Sequence, residues 1–506
     1  MDMLLPLFVA VPLACSAVAA IAPWRVVRDV LALLAPAGIA VGGAALFVYT
    51  QSGHTTVAHN VGLYTGGVSI PFVADAFSAV MLTTTGIVAV AANWFAIVVG
   101  ETRARFYPAL ALMLSAGVCG ALLTGDLFNL FVFIEVMLLP SYGLITMTGT
   151  FSRLAGGRTF VLVNLLTSTI LLVGVAFVYA NAGTANIAAL AGAAAGHGPV
   201  TVAMGLVVIA LAIKSGLFPV HTWLPRTYPG TSPAVMALFS GLHTKVAVYA
   251  LMRIMVVIFD LDPRWNTVII VVCVASMLVG AYAGLGEHTI RQVIGYQMVN
   301  GMPFILVVLA FTAGDARRAL AAGIFYMIHH MITVGGLVLT AGAVEETYGT
   351  GKFTRLSGLA RRDPLVATVF AAAAFSIVGL PPFSGVWGKL FIVMEVAREA
   401  DWKAAFVIAV IAVASFGALL SMMRLWREVF WGKDMNPEKV PETLVVATSK
   451  LLPGATLTLF SVALFFLAGF LVSATMAAAG GMLDVDGYVH AVLGSHPLAA
   501  AAAAGH

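Results

Sequence analysis

Long apolar segments follow one another along almost the whole chain, and only short polar stretches separate them. Hydrophobic residues make up 61% of the 506 residues and charged residues only 9%, a balance unlike that of a water-soluble domain. A helix that crosses the hydrocarbon core of a bilayer needs about 20 mostly apolar residues, and it bonds all its backbone groups internally. The sequence therefore predicts an all-α polytopic membrane protein.

By this criterion the sequence predicts about fourteen membrane-spanning helices. The predicted segments are 3–22, 29–49, 72–98, 106–125, 127–149, 158–181, 200–228, 232–257, 266–285, 289–312, 316–342, 364–397, 403–430 and 451–475. Lysine and arginine collect in cytoplasmic loops of membrane proteins, and the loops after odd-numbered segments hold sixteen of them against five after even-numbered segments. This alternation predicts a cell-membrane protein with both termini on the outer side.

Composition excludes several other classes of protein. The formal net charge of +4 is small for this length and scattered over loops, so no basic patch favours nucleic acid. Cys15, Cys119 and Cys273 each lie alone in an apolar stretch, without the paired spacing of a disulfide, cluster or metal site. The sequence holds no nucleotide or haem motif and no oxygen-rich sodium cage, so we predict a transporter subunit without cofactor or metal rather than an enzyme.

Four charged residues lie deep inside the predicted segments, namely Glu135, Lys214, Lys245 and Lys389. A charge at the bilayer centre costs about 2.5–3.5 kcal/mol on insertion scales. Several such charges in one chain indicate mutual pairing, buried water and a transport path. Glu135 is about eight residues into its segment, roughly 12 Å deep, which is too far for easy contact with lipid headgroups.

Two predicted segments, the seventh and the twelfth, are too long for one straight helix and carry a similar interruption. Residues 214–225 read KSGLFPVHTWLP and residues 379–389 read GLPPFSGVWGK. Proline removes a backbone donor and clashes with the preceding turn, so both helices are expected to break. Broken helices at corresponding positions indicate an internal repeat with ion sites near the breaks, and their odd spacing of five segments predicts two units of opposite orientation.

These features divide the chain into four predicted parts. Residues 1–105 form three N-terminal helices, residues 106–257 the first five-helix repeat and residues 266–430 the second. Residues 431–506 hold a cytoplasmic loop, the fourteenth segment and a tail that is expected to be mobile from about Gly480. Residues 51–70 are expected to form an external hairpin.

Four motifs give the chain a resemblance to a known family. They are GDLFNLFVFIE at 125–135, KSGLFPVHTWLP at 214–225, HTKVAVY at 243–249 and GLPPFSGVWGK at 379–389. In this order they resemble the antiporter-like subunits shared by Mrp-type Na+/H+ antiporters and the proton-pumping membrane arm of respiratory complex I. Within that family the chain length and the NLFVF before Glu135 are most similar to the D subunits of Mrp complexes.

The resemblance implies that the buried charges carry protons. An opposite charge stabilises an ammonium group while burial destabilises it, so Glu135 is predicted to pair with Lys214 and to set its proton affinity. Lysine suits proton carriage because it can lose its charge when buried, whereas arginine stays charged. Lys245 is predicted to be a downstream carrier. Lys389 is predicted to be the terminal carrier, a role compatible with capping the end of the preceding half-helix.

Histidines and amides are predicted to connect Lys245 with Lys389. His329 and His330 lie between the two lysines in the chain and can pass protons through either ring nitrogen near neutral pH. The sequence departs from the family where relatives often carry a lysine, because this position is Val334. An additional polar path is predicted at three further residues, which are His243, Gln297 and Asn300.

The predicted function is proton translocation within a multisubunit Na+/H+ antiporter, where the sodium ion and the other antiporter subunits are implied by the resemblance alone. The alternative is a proton-pumping subunit of a redox-driven complex, such as a quinone-reducing NADH dehydrogenase or a membrane-bound hydrogenase. In that case electron transfer would take place in partner subunits. A scaffold role without proton transport is the third reading.

Overall fold

Helices make up most of the computed structural model, which describes residues 1–64, 69–147, 151–435, 440–441 and 443–494. The helices are α1 Leu7–Ile21, α2 Arg25–Gln51, α3 Ala76–Val99, α4 Tyr107–Leu123, α5 Leu127–Thr146, α6 Phe151–Ala182, α7 Pro199–Lys214, α8 Trp223–Thr227, α9 Pro233–Leu238, α10 Thr244–Val257, α11 Asn266–Ala283, α12 Ile290–Leu306, α13 Ala316–Tyr348, α14 Leu359–Arg362, α15 Pro364–Val378, α16 Ser384–Ala397, α17 Trp402–Val429, α18 Thr448–Phe466, α19 Ala468–Leu483 and α20 Val485–Leu493. A π-helical turn, Phe239–His243, joins α9 to α10.

The predicted membrane fold is confirmed in its class. Within the described ranges, eleven helical stretches are long and apolar enough to cross a membrane, or twelve if the bent pair α19–α20 counts as one span. Three shorter apolar helices, α4, α7 and α15, accompany them. Each of the fourteen predicted segments overlaps at least one helix. The number fourteen, the inverted repeat and the four-part division of the chain stay predictions.

A small hairpin is the exception to the all-α prediction. Strand β1, Thr56–Asn60, pairs antiparallel with β2, Pro71–Asp75, and Thr56 lies opposite Asp75. The hairpin was expected within residues 51–70, but its second strand uses residues that were assigned to the third membrane segment. The side chain of Asp75 accepts a hydrogen bond from Ser78 N–H, which caps α3 and fixes where the strand gives way to helix.

The C-terminal region is more ordered than predicted. The prediction of a mobile tail from Gly480 is wrong for residues 480–493. Helix α19 continues to Leu483, and α20 follows with Tyr488 and Val492 buried against the rest of the protein. Asn60 Nδ2 in β1 donates to Val492 O over 3.4 Å, so α20 lies on the hairpin. Residues 495–506 of the predicted tail lie outside the described residues.

The N-terminal turn Asp2–Leu4 also contacts β1. Both ends of the described chain therefore lie on the face that carries the hairpin. This arrangement agrees with an even number of membrane crossings. The assignment of that face to the outside of the cell stays a prediction from the loop charges.

Helix α13 forms the centre of the molecule. Its side chains from Ala319 to Val344 are buried without interruption, and it contacts α3, α9, α12, α15, α16, α18 and α19. In the most apolar 18 residues of Pro233–Val257 and of α13, every residue is buried. In the corresponding part of Ile290–Ala310, 94% of the residues are buried. Intramembrane polar residues normally face a bundle interior rather than lipid, so these three stretches are where such residues are tolerated.

The first predicted break lies between α7 and α8. Helix α7 ends at Lys214, and Gly216 follows with a left-handed φ of 78°. A left-handed glycine lets the chain turn away while the last helical carbonyls find donors. One such donor is the indole of Trp223, whose Nε1–H donates to Ile213 O over 3.0 Å. Unpaired backbone at membrane depth is tolerated only where protein covers it, and Trp223 provides that cover.

The second break, between α15 and α16, has the same chemistry. Helix α15 ends at Val378, and Gly379 follows with a φ of 93°. Leu380 N–H then donates back to Phe375 O over 3.0 Å, the bond of a Schellman turn. Helix α16 begins only at Ser384. Both predicted interruptions are therefore present, and each places a lysine beside the end of a half-helix.

Candidate functional site

Lys214 closes the first half-helix and is only 2% exposed. Its Nζ donates to the hydroxyl of Ser168 on α6 over 3.1 Å. Glu135 on α5 is half-buried and interacts electrostatically with Lys214. However, Glu135 and Lys214 are not among the ion pairs of the described residues in which nitrogen and oxygen lie within 4.0 Å. The amine is bonded to Ser168, so the predicted pairing of Glu135 with Lys214 is present as an electrostatic interaction without a direct contact.

His243 lies at the end of the π-helical turn, beside the stacked rings of Phe160 and Phe239, with centroid separations of 5.6 and 5.7 Å. It is fully enclosed and interacts electrostatically with Lys214. Single π-helical turns inside α-helices occur frequently at functional sites. The structure therefore places His243 on the side of this helix that faces Lys214, two residues from Lys245.

Lys245 lies in the first turn of α10 and is 1% exposed. Its Nζ donates to Ser240 O in the π-helical turn over 3.3 Å and lies 3.4 Å from Met302 Sδ on α12. These partners are neutral. Lys245 also interacts electrostatically with His330, so its amine lies near residues of α12 and α13.

The predicted amides and His330 lie together where α12 meets α13. Asn300 Nδ2 donates to Gln297 Oε1 over 3.5 Å, and both residues are buried. The imidazole of His330 lies against Gly301, where a side chain would overlap its ring. His330 interacts electrostatically with both Lys245 and His329. It therefore lies near both Lys245 and His329, and its role as a relay stays a prediction.

His329 faces the second break. Its Nδ1 is 2.8 Å from Ser384 Oγ at the start of α16 and 3.1 Å from Thr333 Oγ1 one turn along α13. It interacts electrostatically with Lys389. Val334, where relatives often carry a lysine, is fully buried, and the neighbouring Thr333 provides the polar group on this part of α13.

Lys389 lies on α16 but bonds to the end of α15. Its Nζ donates to Val378 O over 2.7 Å and to Ser415 Oγ on α17 over 3.0 Å, and it lies 5.0 Å from the centre of the Phe304 ring. A cation at a helix C-terminus and over an aromatic face is favourable. The predicted capping of the half-helix by Lys389 is confirmed.

The three membrane lysines share one electrostatic property. None of them has a carboxylate oxygen within 4.0 Å among the ion pairs of the described chain. Their partners are hydroxyl and carbonyl oxygens, a thioether and an aromatic ring. Buried cations that lack a paired charge are costly, so this arrangement favours groups whose charge can change.

Sequence reasoning missed a buried ion pair near the hairpin. Arg253 on α10 lies 2.6 Å from Asp75, and both are almost fully buried. Tyr249 joins them, because Arg253 donates to its hydroxyl over 3.1 Å and that hydroxyl contacts Ser78 Oγ at 2.9 Å. Arg253 lies inside the eighth predicted segment, and a charge within an apolar segment could have indicated a buried partner. Asp75 did not stand out in the sequence, because a charge near the end of a predicted membrane segment is not unusual.

The comparisons with known proteins agree with this geometry. Residues 124–416 match the family described as NADH:quinone oxidoreductase/Mrp antiporter, TM. The D subunit of the Na+/H+ antiporter of Alkalihalophilus pseudofirmus is 34% identical over 451 residues, which cover 88% of this chain and 89% of that protein. A chain in the Mrp complex from a Dietzia species is 40% identical, with a TM-score of 0.91 over 97% of this chain and 99% of that chain.

The archaeal membrane-bound sulfane sulfur reductase contains a chain with the same fold. It is 22% identical, with a TM-score of 0.84 over 97% of this chain and 100% of that chain. At this identity the likeness concerns the fold alone. The match at 124–416 and the similarity to the Alkalihalophilus protein extend over most of the chain. The chain belongs to the NADH:quinone oxidoreductase/Mrp antiporter transmembrane family.

Proposed function

We propose that this chain is a proton-translocating membrane subunit of a multisubunit Na+/H+ antiporter in the cell membrane. Its relatives named as D subunits of Na+/H+ antiporters and the chain of the solved Mrp complex support this assignment. The other antiporter subunits are its partners. In this proposal protons move through the chain, and their movement drives sodium export within the complex.

The observation that carries the proposal is a set of buried polar atoms without hydrogen-bond partners in the described protein. These atoms are Glu135 Oε1, both ring nitrogens of His243, Gln297 Nε2, Asn300 Oδ1 and His329 Nε2. Buried polar atoms in folded proteins are normally bonded, and groups of this kind bind internal water. Such atoms beside the buried lysines support a hydrated proton path.

The electrostatic neighbours give this path an order. Glu135 acts on Lys214, and Lys214 acts on His243. Beyond Lys245, the next interactions join Lys245 to His330, His330 to His329, and His329 to Lys389. These residues belong to α5, α7, the π-helical turn, α10, α13 and α16. The order supports proton transfer along the membrane midplane through lysine and histidine side chains.

Alanine substitution of the first two charges tests the path. In vesicles that contain the assembled complex, Lys214→Ala and Glu135→Ala are expected to lower Na+-driven proton movement at least about tenfold, since a proton carrier is lost. Lys352→Ala is the matched control, because Lys352 is exposed in the loop after α13. Normal subunit composition of each purified complex shows that assembly is intact. Full antiport by assembled Lys214→Ala would contradict the proposed path.

The source of the driving force can be tested with the same preparation. A redox-driven pump holds flavin, iron–sulfur or haem groups in its partner subunits. The purified complex is expected to lack their visible absorbance while it carries out sodium-dependent proton movement in vesicles. Stoichiometric flavin or iron–sulfur absorbance together with substrate-dependent proton pumping would contradict the antiporter assignment.

A further inference from the structure

Four buried hydroxyl groups converge on His329 at the second helix break. They belong to Thr333 on α13, Ser376 on α15, Ser384 on α16 and Ser461 on α18, and each side chain is at most 1% exposed. We call these four residues the hydroxyl cluster. Ser461 is notable because it lies outside both predicted five-helix repeats, so α18 contributes directly to a site between α13, α15 and α16.

The cluster has more close contacts between polar atoms than it has protons that could form hydrogen bonds across them. His329 Nδ1 contacts Ser384 at 2.8 Å and Thr333 at 3.1 Å. Ser461 Oγ contacts Thr333 at 2.9 Å, Ser376 at 2.7 Å and Ser384 at 2.8 Å, while Thr333 and Ser376 are 3.4 Å apart. Each hydroxyl has one proton and two acceptor lone pairs. Six contacts therefore share four hydroxyl protons, or five if Nδ1 is protonated.

Several hydrogen-bond arrangements of the cluster are therefore nearly equivalent. Ser461 can donate to any one of three neighbours and accept from the other two. Hydroxyl rotation is sufficient to change from one arrangement to another, because the oxygens need not move. Chains of such bonds also polarise one another in a low-dielectric interior. These are the properties of a group of atoms that passes protons.

The spacing of the oxygens does not fit a bound alkali cation. Oxygen ligands at about 2.4 Å from a hard cation and at right angles to each other lie roughly 3.4 Å apart. The contacts of Ser461 are 2.7–2.9 Å, which is the distance of direct O–H···O hydrogen bonds. The cluster is thus bonded to itself rather than arranged around an ion.

We propose that the hydroxyl cluster relays protons from His329 toward Lys389, which rests on the proton path proposed above. Ser376 is the outlet, because it has no contact with the imidazole and bonds to Ser461 at the centre of the cluster. It lies two residues before Val378, whose carbonyl accepts from Lys389 Nζ. A water molecule completes the path between the Ser376 hydroxyl and the amine.

The proton balance of the relay is simple. Imidazolium at His329 gives its Nδ1 proton to Ser384, Ser384 gives its own proton to Ser461, and Ser461 gives its proton to Ser376. Ser376 passes one proton through the water to the neutral amine of Lys389. Each hydroxyl loses one proton and gains one, so the net change is neutral imidazole and a new ammonium group.

Removal of the central hydroxyl tests the relay. Ser461→Ala in the assembled complex is expected to lower Na+-driven proton movement at least about tenfold, and Ser461→Thr is expected to restore it because it keeps a hydroxyl. Ser115→Ala is the matched control, since Ser115 is equally buried but bonds only to Ala111 O of its own helix. Because slower proton transfer becomes rate-limiting, Ser461→Ala should also increase the ratio of rates in H2O and D2O.

The outcomes separate the relay from the wider path. If Lys214→Ala abolishes transport but assembled Ser461→Ala keeps the wild-type rate and isotope ratio, the relay is overturned and the path stands. If Lys214→Ala retains full transport, the path itself fails. A slower Ser461→Ala with an unchanged isotope ratio shows a packing role only and overturns the relay. If Ser461→Ala does not assemble, Ser376→Ala applies the same test at the outlet, on α15.

Discussion

The imidazole of His330 occupies space that α12 leaves free only because residue 301 is glycine. A Cβ at Gly301 would overlap Nε2 and Cδ2 of the ring. In a close-packed interior such an overlap forces the ring or the backbone to move. The position of His330 between Lys245 and His329 is therefore fixed by the absence of a side chain on a neighbouring helix.

Gly301→Ala is accordingly expected to slow proton movement at least about fivefold, because displacement of His330 lengthens the step from Lys245. Transport in vesicles and the thermal unfolding temperature of the purified complex measure the effect. Gly205→Ala is the control, since a Cβ at that position on α7 would have no atom within 4 Å. Equal transport by the two variants would show that His330 tolerates displacement and is not on the path.

At the scale of single residues, the sequence indicated which charged and titratable side chains are buried, but not which groups they contact. Lys214, Lys245 and Lys389 were recognisable because a charge in an apolar segment is costly. Ser168, Ser415 and Ser461 were not, because serine is common on membrane helices and usually bonds to its own backbone. Only the packing of distant helices distinguishes a serine that contacts an amine from one that does not.

Each of the two helix breaks places a lysine of the proposed path beside the end of a half-helix. Sequence was sufficient to locate them, because glycine and proline act locally on the backbone. It was not sufficient to place the end of α18 at Phe466 or the continuation through α19, because uniform apolar sequence contains no such local signal. The distance between Glu135 and Lys214 was not predictable either, since it depends on the relative position of α5 and α7.

Gly379 combines two roles in the second break, and a pair of variants separates them. Its φ of 93° is costly for any other residue, and a Cβ there would lie 2.9 Å from Lys389 Cδ. Gly183 has a φ of 72° with no atom within 4 Å of a Cβ. Both alanine variants should lose about 1–2 kcal/mol of stability from the backbone, whereas only Gly379→Ala should also displace Lys389.

Transport and thermal unfolding of the two variants check this prediction. Gly379→Ala is expected to lower Na+-driven proton movement severalfold beyond any effect of Gly183→Ala, with a greater loss of stability, because the lysine stem must move. If the two variants have the same transport rate, the position of Lys389 against the end of α15 has no importance for proton movement.

The whole molecule is held together near the hairpin by the buried pair of Asp75 and Arg253. The pair connects the strand before α3 with α10, and the rings of Phe77, Tyr249 and Tyr488 lie 5.5–5.7 Å from the guanidinium. Removal of one member of a buried ion pair leaves the other charge unpaired. Residues from the N-terminal, central and C-terminal regions therefore meet at this one ion pair.

Asp75→Ala is expected to destabilise the folded chain by about 3–5 kcal/mol. The double variant Asp75→Asn with Arg253→Gln should recover part of this loss, because neither side chain is then charged. Thermal unfolding of the purified complex in detergent measures both variants. A single variant as stable as the wild type would show that water already reaches the pair.

Tyr488 covers this pair from α20, which is the last helix of the described chain to be synthesised. Asp75 and Arg253 are inserted into the membrane region much earlier during translation. Until α20 emerges and folds back onto the hairpin, the guanidinium lacks one of its three aromatic neighbours. A chain that ends before Tyr488 would therefore leave this buried guanidinium without one of the rings that enclose it.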